Sequence, residues 1–191
     1  MKINRKRIFV GAIVLASVVG ALCLAVRFRV GQFQGDGTIS DSGVFTYPRY
    51  HIRLHAIPLS QVGEYSSVVS GLPSSPMHLR LECARLLQSQ KDVLDGLSTR
   101  VKAQIVEDPD KSSKVLCTVD GRPVDATSGH PNGWILSVSN SSASYWNRGC
   151  LDLPISHSHA YSIRVSIEEV DRRSPDIQVI PILEGGGIEL P

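Results

Sequence analysis

Two histidines in the C-terminal third have the type and spacing of metal ligands. His157 and His159 are separated by one residue, and every second residue of an extended segment lies on the same face. Zinc is often held by imidazole nitrogens, and Asp152 or Cys150 could supply a third ligand. A polar turn without an ion explains the same residues more simply. His157 and His159 are therefore weak metal candidates, and the sequence predicts no cofactor.

A second histidine pair, His51 and His55, flanks Arg53. Ile52 and Leu54 alternate with these residues, which predicts a half-buried strand with one solvated polar face. The chain contains neither Gly-x-Ser-x-Gly nor His-Glu-x-x-His, the motifs of serine hydrolases and zinc proteases. We therefore assign no catalytic residue, and a metal-dependent hydrolase is a less favoured alternative.

Aromatic residues beside a polar segment form the candidate binding surface. Tyr145 and Trp146 follow residues 140–144, which are mostly Ser and Asn. Trp and Tyr are frequent in protein interfaces, and sugar rings also stack on exposed aromatic side chains. The sequence leaves exposure and core packing equally open for this pair. Trp134 begins an apolar run and is expected in the core.

The chain has four cysteines, and one of them, Cys23, lies in the apolar N-terminal segment. Cys83 alternates with leucines and is expected to be a small core residue. An oxidising compartment permits a disulfide, and Cys117 with Cys150 is the remaining pair. This pairing follows by elimination, because distances between sulfurs cannot be read from a sequence.

An apolar N-terminal segment indicates the compartment. Residues 8–26 carry no charge and have the length of a helix that crosses a bilayer core. Residues 1–7 are basic, which favours a cytoplasmic N-terminus and export of the following chain. We expect an uncleaved anchor. A signal peptide cleaved after Ala25 is the alternative, although this apolar run is long for one. Bulky Leu22 directly before Cys23 disfavours lipidation.

The domain organisation follows from this segment. Residues 1–7 are expected in the cytoplasm, residues 8–26 in the inner membrane, and residues 27–43 as a flexible Gly-rich tether. Residues 44–191 form the expected periplasmic domain, which is long enough for one core. The net charge is only +2 and the basic residues are scattered, so nothing supports nucleic-acid binding.

Short alternating segments separated by turn residues run through the exported part. In the clearest one, Tyr161, Ile163 and Val165 alternate with Ser162 and Arg164. About eight such segments, with no repeat and no β-α-β unit, predict an all-β fold. The expected architecture is an antiparallel β-sandwich or jelly roll.

Other segments allow more than one interpretation. A helix over residues 91–106 is the alternative to a strand over residues 98–106. Residues 61–76 and 122–133 are rich in Ser, Gly and Pro and predict long loops, which often bind partners. Pro181 is expected to interrupt the C-terminal strand, because proline cannot donate a backbone hydrogen bond.

The C-terminal third supports a resemblance. Leu151 and Leu153 precede a short turn and the segment that begins at Tyr161, giving the pattern Leu-x-Leu, turn, Tyr-x-Ile-x-Val. With the strands expected at residues 44–47 and 50–54, the chain resembles an uncharacterised proteobacterial envelope family. The members are lipoprotein-like or membrane-anchored β-sandwich domains of unknown function. The resemblance implies a compartment and a fold, and it supplies no catalytic residues.

These patterns together predict a non-catalytic protein-interaction domain in the periplasm, anchored in the inner membrane. One version is an immunity-type inhibitor of a toxin that acts in the periplasm, and another is an accessory subunit of an envelope complex. The two predicted loops are the expected contact surface. A glycan- or cell-wall-binding module that uses Tyr145 and Trp146 is the alternative from another class.

Overall fold

The computed structural model describes residues 11, 13–20, 33–42, 49–72, 76–84, 94, 96–108, 110, 112–123, 134–138, 143–146, 150–173 and 177–185. Within these ranges the regular structure is mostly antiparallel β-sheet. The all-β fold class predicted from the alternation is confirmed.

The described strands form two sheets. In chain order they are β1 (Gln34–Gly35), β2 (Thr38–Ser42), β3 (Arg49–Arg53), β4 (Ile57–Pro58), β5 (Gly63–Ser70), β6 (Pro76–Ala84), β7 (Arg100–Glu107), β8 (Lys114–Gly121), β9 (Ile135–Val138), β10 (Ala143–Trp146), β11 (Leu153–Pro154), β12 (Ala160–Glu169) and β13 (Gln178–Gly185). The smaller sheet has the order β1-β5-β12-β7-β8. The larger has the order β2-β3-β13-β6-β10-β9, with β4 also beside β13 and β11 beside β6.

Alternation along the strands places side chains from both sheets in one core. On β12 the side chains of Tyr161, Ile163 and Val165 are buried, as their spacing predicted. They belong to the same cluster of buried residues as Ile52 of β3 and Leu183 of β13. The core therefore draws on both sheets, and residues far apart in the chain contribute to it.

β7 resolves the choice between a helix and a strand around residues 98–106. Val101, Ala103 and Ile105 are buried on β7, and β7 pairs with β12 and β8. The helix considered for residues 91–106 is therefore wrong over the described residues 100–106.

Trp134 is buried as expected, and its indole N–H donates to the carbonyl oxygen of Val101 at 3.0 Å.

The described part of the segment predicted as a flexible tether, residues 33–42, is mostly β-strand. Residues 34–42 form β1 in the smaller sheet and β2 in the larger, joined by a crossing segment of residues 35–37. Gly35 and Gly37 have φ angles of 121° and 100°, which residues other than glycine rarely adopt. A Cβ on Gly35 would overlap the carbonyl oxygen of Val68. These glycines therefore allow two backbone segments to approach closely. The Gly-rich composition alone had predicted a flexible segment.

The first predicted loop is also a strand. Residues 63–70 form β5, which pairs along its length with β12. Tyr65 and Val69 turn toward the core while Glu64, Ser66 and Val68 are exposed. Serines have weak strand preference, and cross-strand pairing with β12 overrides it. The expected binding loop over residues 61–76 is therefore corrected, and residues 73–75 lie outside the described part.

Pro181 does not interrupt the C-terminal strand, contrary to the prediction. β13 pairs with β6 throughout, and on its other side it pairs with β3 at residues 182–185 and with β4 at residues 178–179. Pro181 faces the break between β3 and β4, where its carbonyl accepts from the Leu54 N–H at 3.0 Å. The missing proline N–H is tolerated because no ladder partner requires it there.

Several predictions fall on residues that are not described. These are the strand at residues 44–47, most of the loop at residues 122–133, and most of the apolar segment at residues 8–26. Residues 13–20 of that segment are helical. Among the described residues, the search for a helix of sufficient length and apolarity to cross a membrane found none.

A disulfide joins Cys117 of β8 to Cys150, which precedes β11. It is the pair that the sequence favoured by elimination, and it links the smaller sheet to the segment that enters the larger one. Cys83 is a free, buried thiol on β6. Burial raises its pKa to about 12, so it is an inert core residue at neutral pH.

A buried carboxylate fixes the end of β12. Asp171 is only 7% exposed, and its oxygens accept from the N–H and hydroxyl of Ser98 and from the N–H and guanidinium of Arg173. Its own N–H donates to the Thr99 hydroxyl at 3.0 Å. The Arg173 guanidinium, helped by the backbone donors, holds the pKa of the Asp171 carboxyl well below its usual range.

We expect Asp171→Asn to lower the free energy of unfolding at pH 7 by about 2 kcal/mol, because charge-assisted hydrogen bonds are lost. The depressed pKa means that the carboxylate stabilises the fold above its unfolded-state pKa of about 3.9, and that this contribution is lost as the pH falls further. Thermal melts at several pH values should show the deficit shrink below about pH 4. Asp110→Asn, at an exposed position, is the control. A deficit independent of pH would contradict this account.

Candidate functional site

The outer face of the larger sheet carries a group of six ionisable side chains that contact one another. We call it the Glu184 cluster. Its members project from β3, β6 and β13, opposite the core face of those strands: His51, Arg53, His78, Arg80, Glu82 and Glu184. This cluster is the candidate binding site of the domain.

Register brings these side chains together. β13 lies between β3 and β6, and Glu184 is the cross-strand partner of both His51 and His78. One row away, Ile182 is the partner of both Arg53 and Arg80. Cross-strand partners share a face of the sheet, so two rows of side chains stand next to each other. Leu183, between these positions, points to the core.

Glu184 is the centre of the cluster. Its carboxylate lies 3.4 Å from His51 Nδ1, 3.3 Å from His78 Nε2 and 3.1 Å from Arg80 Nε. The hydrogen bond with His78, together with the charges of Arg80 and His51, lowers the pKa of Glu184, although partial burial acts in the opposite direction. The carboxylate is therefore ionised at neutral pH and holds three basic side chains in place.

Glu82 forms the second contact centre. Its carboxylate lies 2.8 Å from Arg53 Nη1 and 3.5 Å from Arg80 Nη2, so Arg80 bridges both carboxylates. The Arg53 side chain remains 43% exposed. A guanidinium has five N–H donors, and the exposed part of Arg53 can offer donors to a carboxylate or carbonyl of another molecule.

The predicted aromatic pair lies beside this cluster in the backbone register. β10 pairs with β6, so that Trp146 is the partner of Arg80 and Tyr145 is the partner of Leu81. The side chains of Tyr145 and Trp146 lie outside the described part of the structure. Their expected role in binding stays a prediction.

The first predicted histidine pair is separated. β3 ends at Arg53, so the chain has left the strand before His55. His51 joins the Glu184 cluster, whereas His55 lines a cleft between the two sheets. The alternation around Ile52 and Leu54 predicted one strand that carries both histidines, and the break at residues 54–56 corrects it.

The second pair lies on the turn before β12, away from the Glu184 cluster. His159 Nδ1 is 2.6 Å from Glu107 Oε1, and His157 is exposed. Cys150, considered as a third metal ligand, is in the disulfide and cannot serve. Within the described ranges, no group of three or more His, Cys, Asp or Glu side chains could hold a metal ion.

The hydroxyl of Tyr161 holds this turn in place. Its hydroxyl accepts from the Ser156 N–H at 2.8 Å and lies 3.3 Å from both the Ser156 carbonyl oxygen and Glu107 Oε1. Burial raises the pKa of Tyr161. A tyrosine at the start of a strand that bonds to the backbone a few residues upstream is the tyrosine corner of sandwich domains. Glu107 and His159 complete this corner, which fixes the connection from β11 to β12.

Sequence reasoning placed His51 and Arg53 on a polar face but missed their partners. His78, Arg80 and Glu82 alternate with buried leucines, and this period-2 pattern was a usable signal for the same kind of face. Glu184 was not predicted to be on this face, because nothing local in the sequence shows that β13 continues past Leu183.

The chain was compared with known proteins in three ways. A scan against protein-family models, a search of curated proteins and a search of solved structures each gave no match.

Proposed function

We propose that this chain is a single-pass inner-membrane protein whose periplasmic domain, a jelly-roll-like β-sandwich, binds a protein partner and has no catalytic activity. The Glu184 cluster is the contact surface, in place of the predicted loops. The partner is either a toxic enzyme that the domain inhibits, as an immunity protein does, or a larger envelope complex. The observation that carries the proposal is the set of six ionisable side chains in mutual contact on one sheet face.

The geometry of the Glu184 cluster favours recognition. The six side chains are spread over three adjacent strands, which suits the surface of another folded protein better than a small molecule. The two carboxylates hold both arginines and both histidines in fixed positions, so less side-chain entropy is lost on binding. Ordered arginines are common among the residues that dominate interface energies.

The neighbouring register supports the same location. Arg53, Ile182, Arg80 and Trp146 occupy one row across β3, β13, β6 and β10. Arg and Trp are two of the residue types most enriched at interface hot spots. This row therefore gives the proposed contact its centre.

The compartment rests on two further observations. Residues 8–26 have the composition of a membrane span preceded by basic residues. The Cys117–Cys150 disulfide fits an oxidising environment such as the periplasm, because cytosolic thiols are kept reduced.

The test is affinity capture from native membranes with the full-length chain as bait, followed by mass spectrometry. We expect one stoichiometric partner, whose affinity Arg53→Ala weakens by about tenfold or more, as is typical of a hot-spot arginine. Arg164→Ala removes an exposed arginine from the outer face of the smaller sheet and is the matched control. Arg53 is largely exposed, so its removal should leave the fold intact.

The identity of the partner then separates the two versions of the proposal. A secreted enzyme whose activity is blocked by the full-length protein would establish the immunity version. A resident envelope complex that is captured without inhibition would establish the accessory-subunit version. Equal capture by the wild type, Arg53→Ala and Trp146→Ala would remove the Glu184 cluster as the contact surface.

A further inference from the structure

The outer edge of β5 is only partly paired among the described residues. β1 covers its C-terminal end, where Gln34 pairs with Ser70 and Gly35 with Val69. The chain then leaves through the crossing segment to join the larger sheet as β2. In the described part of the chain, no strand pairs with residues 63–67 on the side away from β12. We call this stretch the β5 edge.

Backbone groups of the β5 edge point toward the open side. The Val68 N–H donates to Asp36 Oδ2 at 3.0 Å, and the Val68 carbonyl accepts from the Asp36 N–H at 3.0 Å. Both groups of a residue point to the same side of an antiparallel strand, and the side alternates from residue to residue. The N–H and C=O of Glu64 and Ser66 therefore face the same open side as those of Val68.

A cleft of about 300 Å³ lies next to this edge, between the two sheets. Its lining mixes polar and apolar surface from both sheets and includes Leu54, His55, Tyr65, Ser67, Ile163 and Pro181. The break between β3 and β4 forms its far wall. Tyr65 and Ser67, which alternate with Glu64 and Ser66, face it from β5.

We infer that the β5 edge binds an extended peptide of another protein by strand addition, in the direction that β1 already takes. Backbone bonds to Glu64 and Ser66 hold the peptide, and its alternate side chains enter the cleft. Among the outward side chains, the one opposite Glu64 lies beside an exposed carboxylate, which favours Lys or Arg. The preferred peptide therefore carries small residues toward the cleft and a basic residue opposite Glu64. This site is separate from the Glu184 cluster and does not depend on the proposed function.

A single peptide strand fits this edge better than a second copy of the chain. The open stretch is short, and it ends where Asp36 bonds to Val68. A second folded sheet would have to clear the crossing segment to reach the same backbone groups. A flexible peptide can follow the edge and stop there.

The test uses the full-length chain and a phage-displayed library of short random peptides. We expect enriched peptides to carry small residues at alternate positions, with a Lys or Arg at a position between them. Their affinity should fall by at least about tenfold for Ser66→Pro, which removes an outward N–H and blocks strand addition. Ser66→Ala keeps that N–H and loses the same contact with the Ser162 hydroxyl, so it is the matched control and should bind as the wild type does.

Ser66→Pro spares the ladder with β12, because the Ser66 N–H points away from that strand. If this variant nevertheless unfolds, amide hydrogen exchange of the wild type, with and without the peptide, tests binding at the β5 edge. The enriched peptide should slow exchange at the N–H groups of Glu64 and Ser66. Unchanged exchange there, equal binding by Ser66→Pro, or a dimer of the chain that Ser66→Pro abolishes would each overturn the proposal.

Discussion

Reducing the Cys117–Cys150 disulfide should lower the melting temperature of the full-length protein by roughly 10 °C. The bond closes a loop with a sequence separation of 33 residues. Restricting an unfolded loop of that length stabilises the native state by about 3–4 kcal/mol. For a domain of this size, each kcal/mol corresponds to about 2–4 °C. Thermal melts with and without a thiol reductant measure the effect directly.

The double variant Cys117→Ser with Cys150→Ser provides the control for this experiment. It should melt near the temperature of the reduced wild type, and reductant should not change it further. Cys83 is buried and free, so it adds no reductant-sensitive bond. A wild-type melting temperature that does not respond to full reduction would show that the disulfide contributes little to stability.

Gly35→Ala should destabilise the protein by about 3 kcal/mol or more and lower its melting temperature by roughly 6–12 °C. Gly35 has a φ of 121°, and an added Cβ would lie 2.9 Å from the Cα of Val69 and still closer to the carbonyl oxygen of Val68. Both are backbone atoms of a paired strand and cannot rotate away. The crossing segment must therefore move, and β1 loses its place beside β5.

Gly96→Ala is the matched control, because the nearest atom to its added Cβ is the Arg173 Nη1, at an ordinary 3.6 Å. We expect a change of no more than about 1 kcal/mol there. Amide exchange locates the damage in Gly35→Ala: the N–H of Val68, bonded to Asp36, should exchange much faster. Equal melting temperatures for the two variants would contradict the role assigned to the crossing segment.

Strands with strong alternation could be predicted from the sequence, and β12 shows why. Tyr161, Ile163, Val165 and Ile167 are apolar at every second position, and their burial alone determines the face of the strand. β1, β2 and β5 could not be predicted in this way. Their glycines and serines are typical of loops. These segments form strands because neighbouring strands pair with them, as β12 does with β5 and β3 does with β2.

The candidate site was predicted only in part for a similar reason. The alternation around Ile52 shows that His51 and Arg53 face solvent. The register of β13 decides that Glu184 lies between His51 and His78, and register depends on the whole larger sheet. The pairing of Cys117 with Cys150 was accessible because the other two cysteines had separate explanations. The Leu-x-Leu, turn, Tyr pattern that ends at Tyr161 was visible in the sequence, but the tyrosine corner and its partner Glu107 were not predicted from it.

The position of β13 in the larger sheet has a consequence for how the chain is made. β13 separates β3 from β6, so these two strands gain their shared neighbour only after residue 185 has been synthesised. Until then both strands present unpaired edges that other chains can occupy. Sheets built from such distant segments fold in times on the order of milliseconds to seconds. The interval before β13 docks is therefore the period in which a newly synthesised chain most needs protection from aggregation.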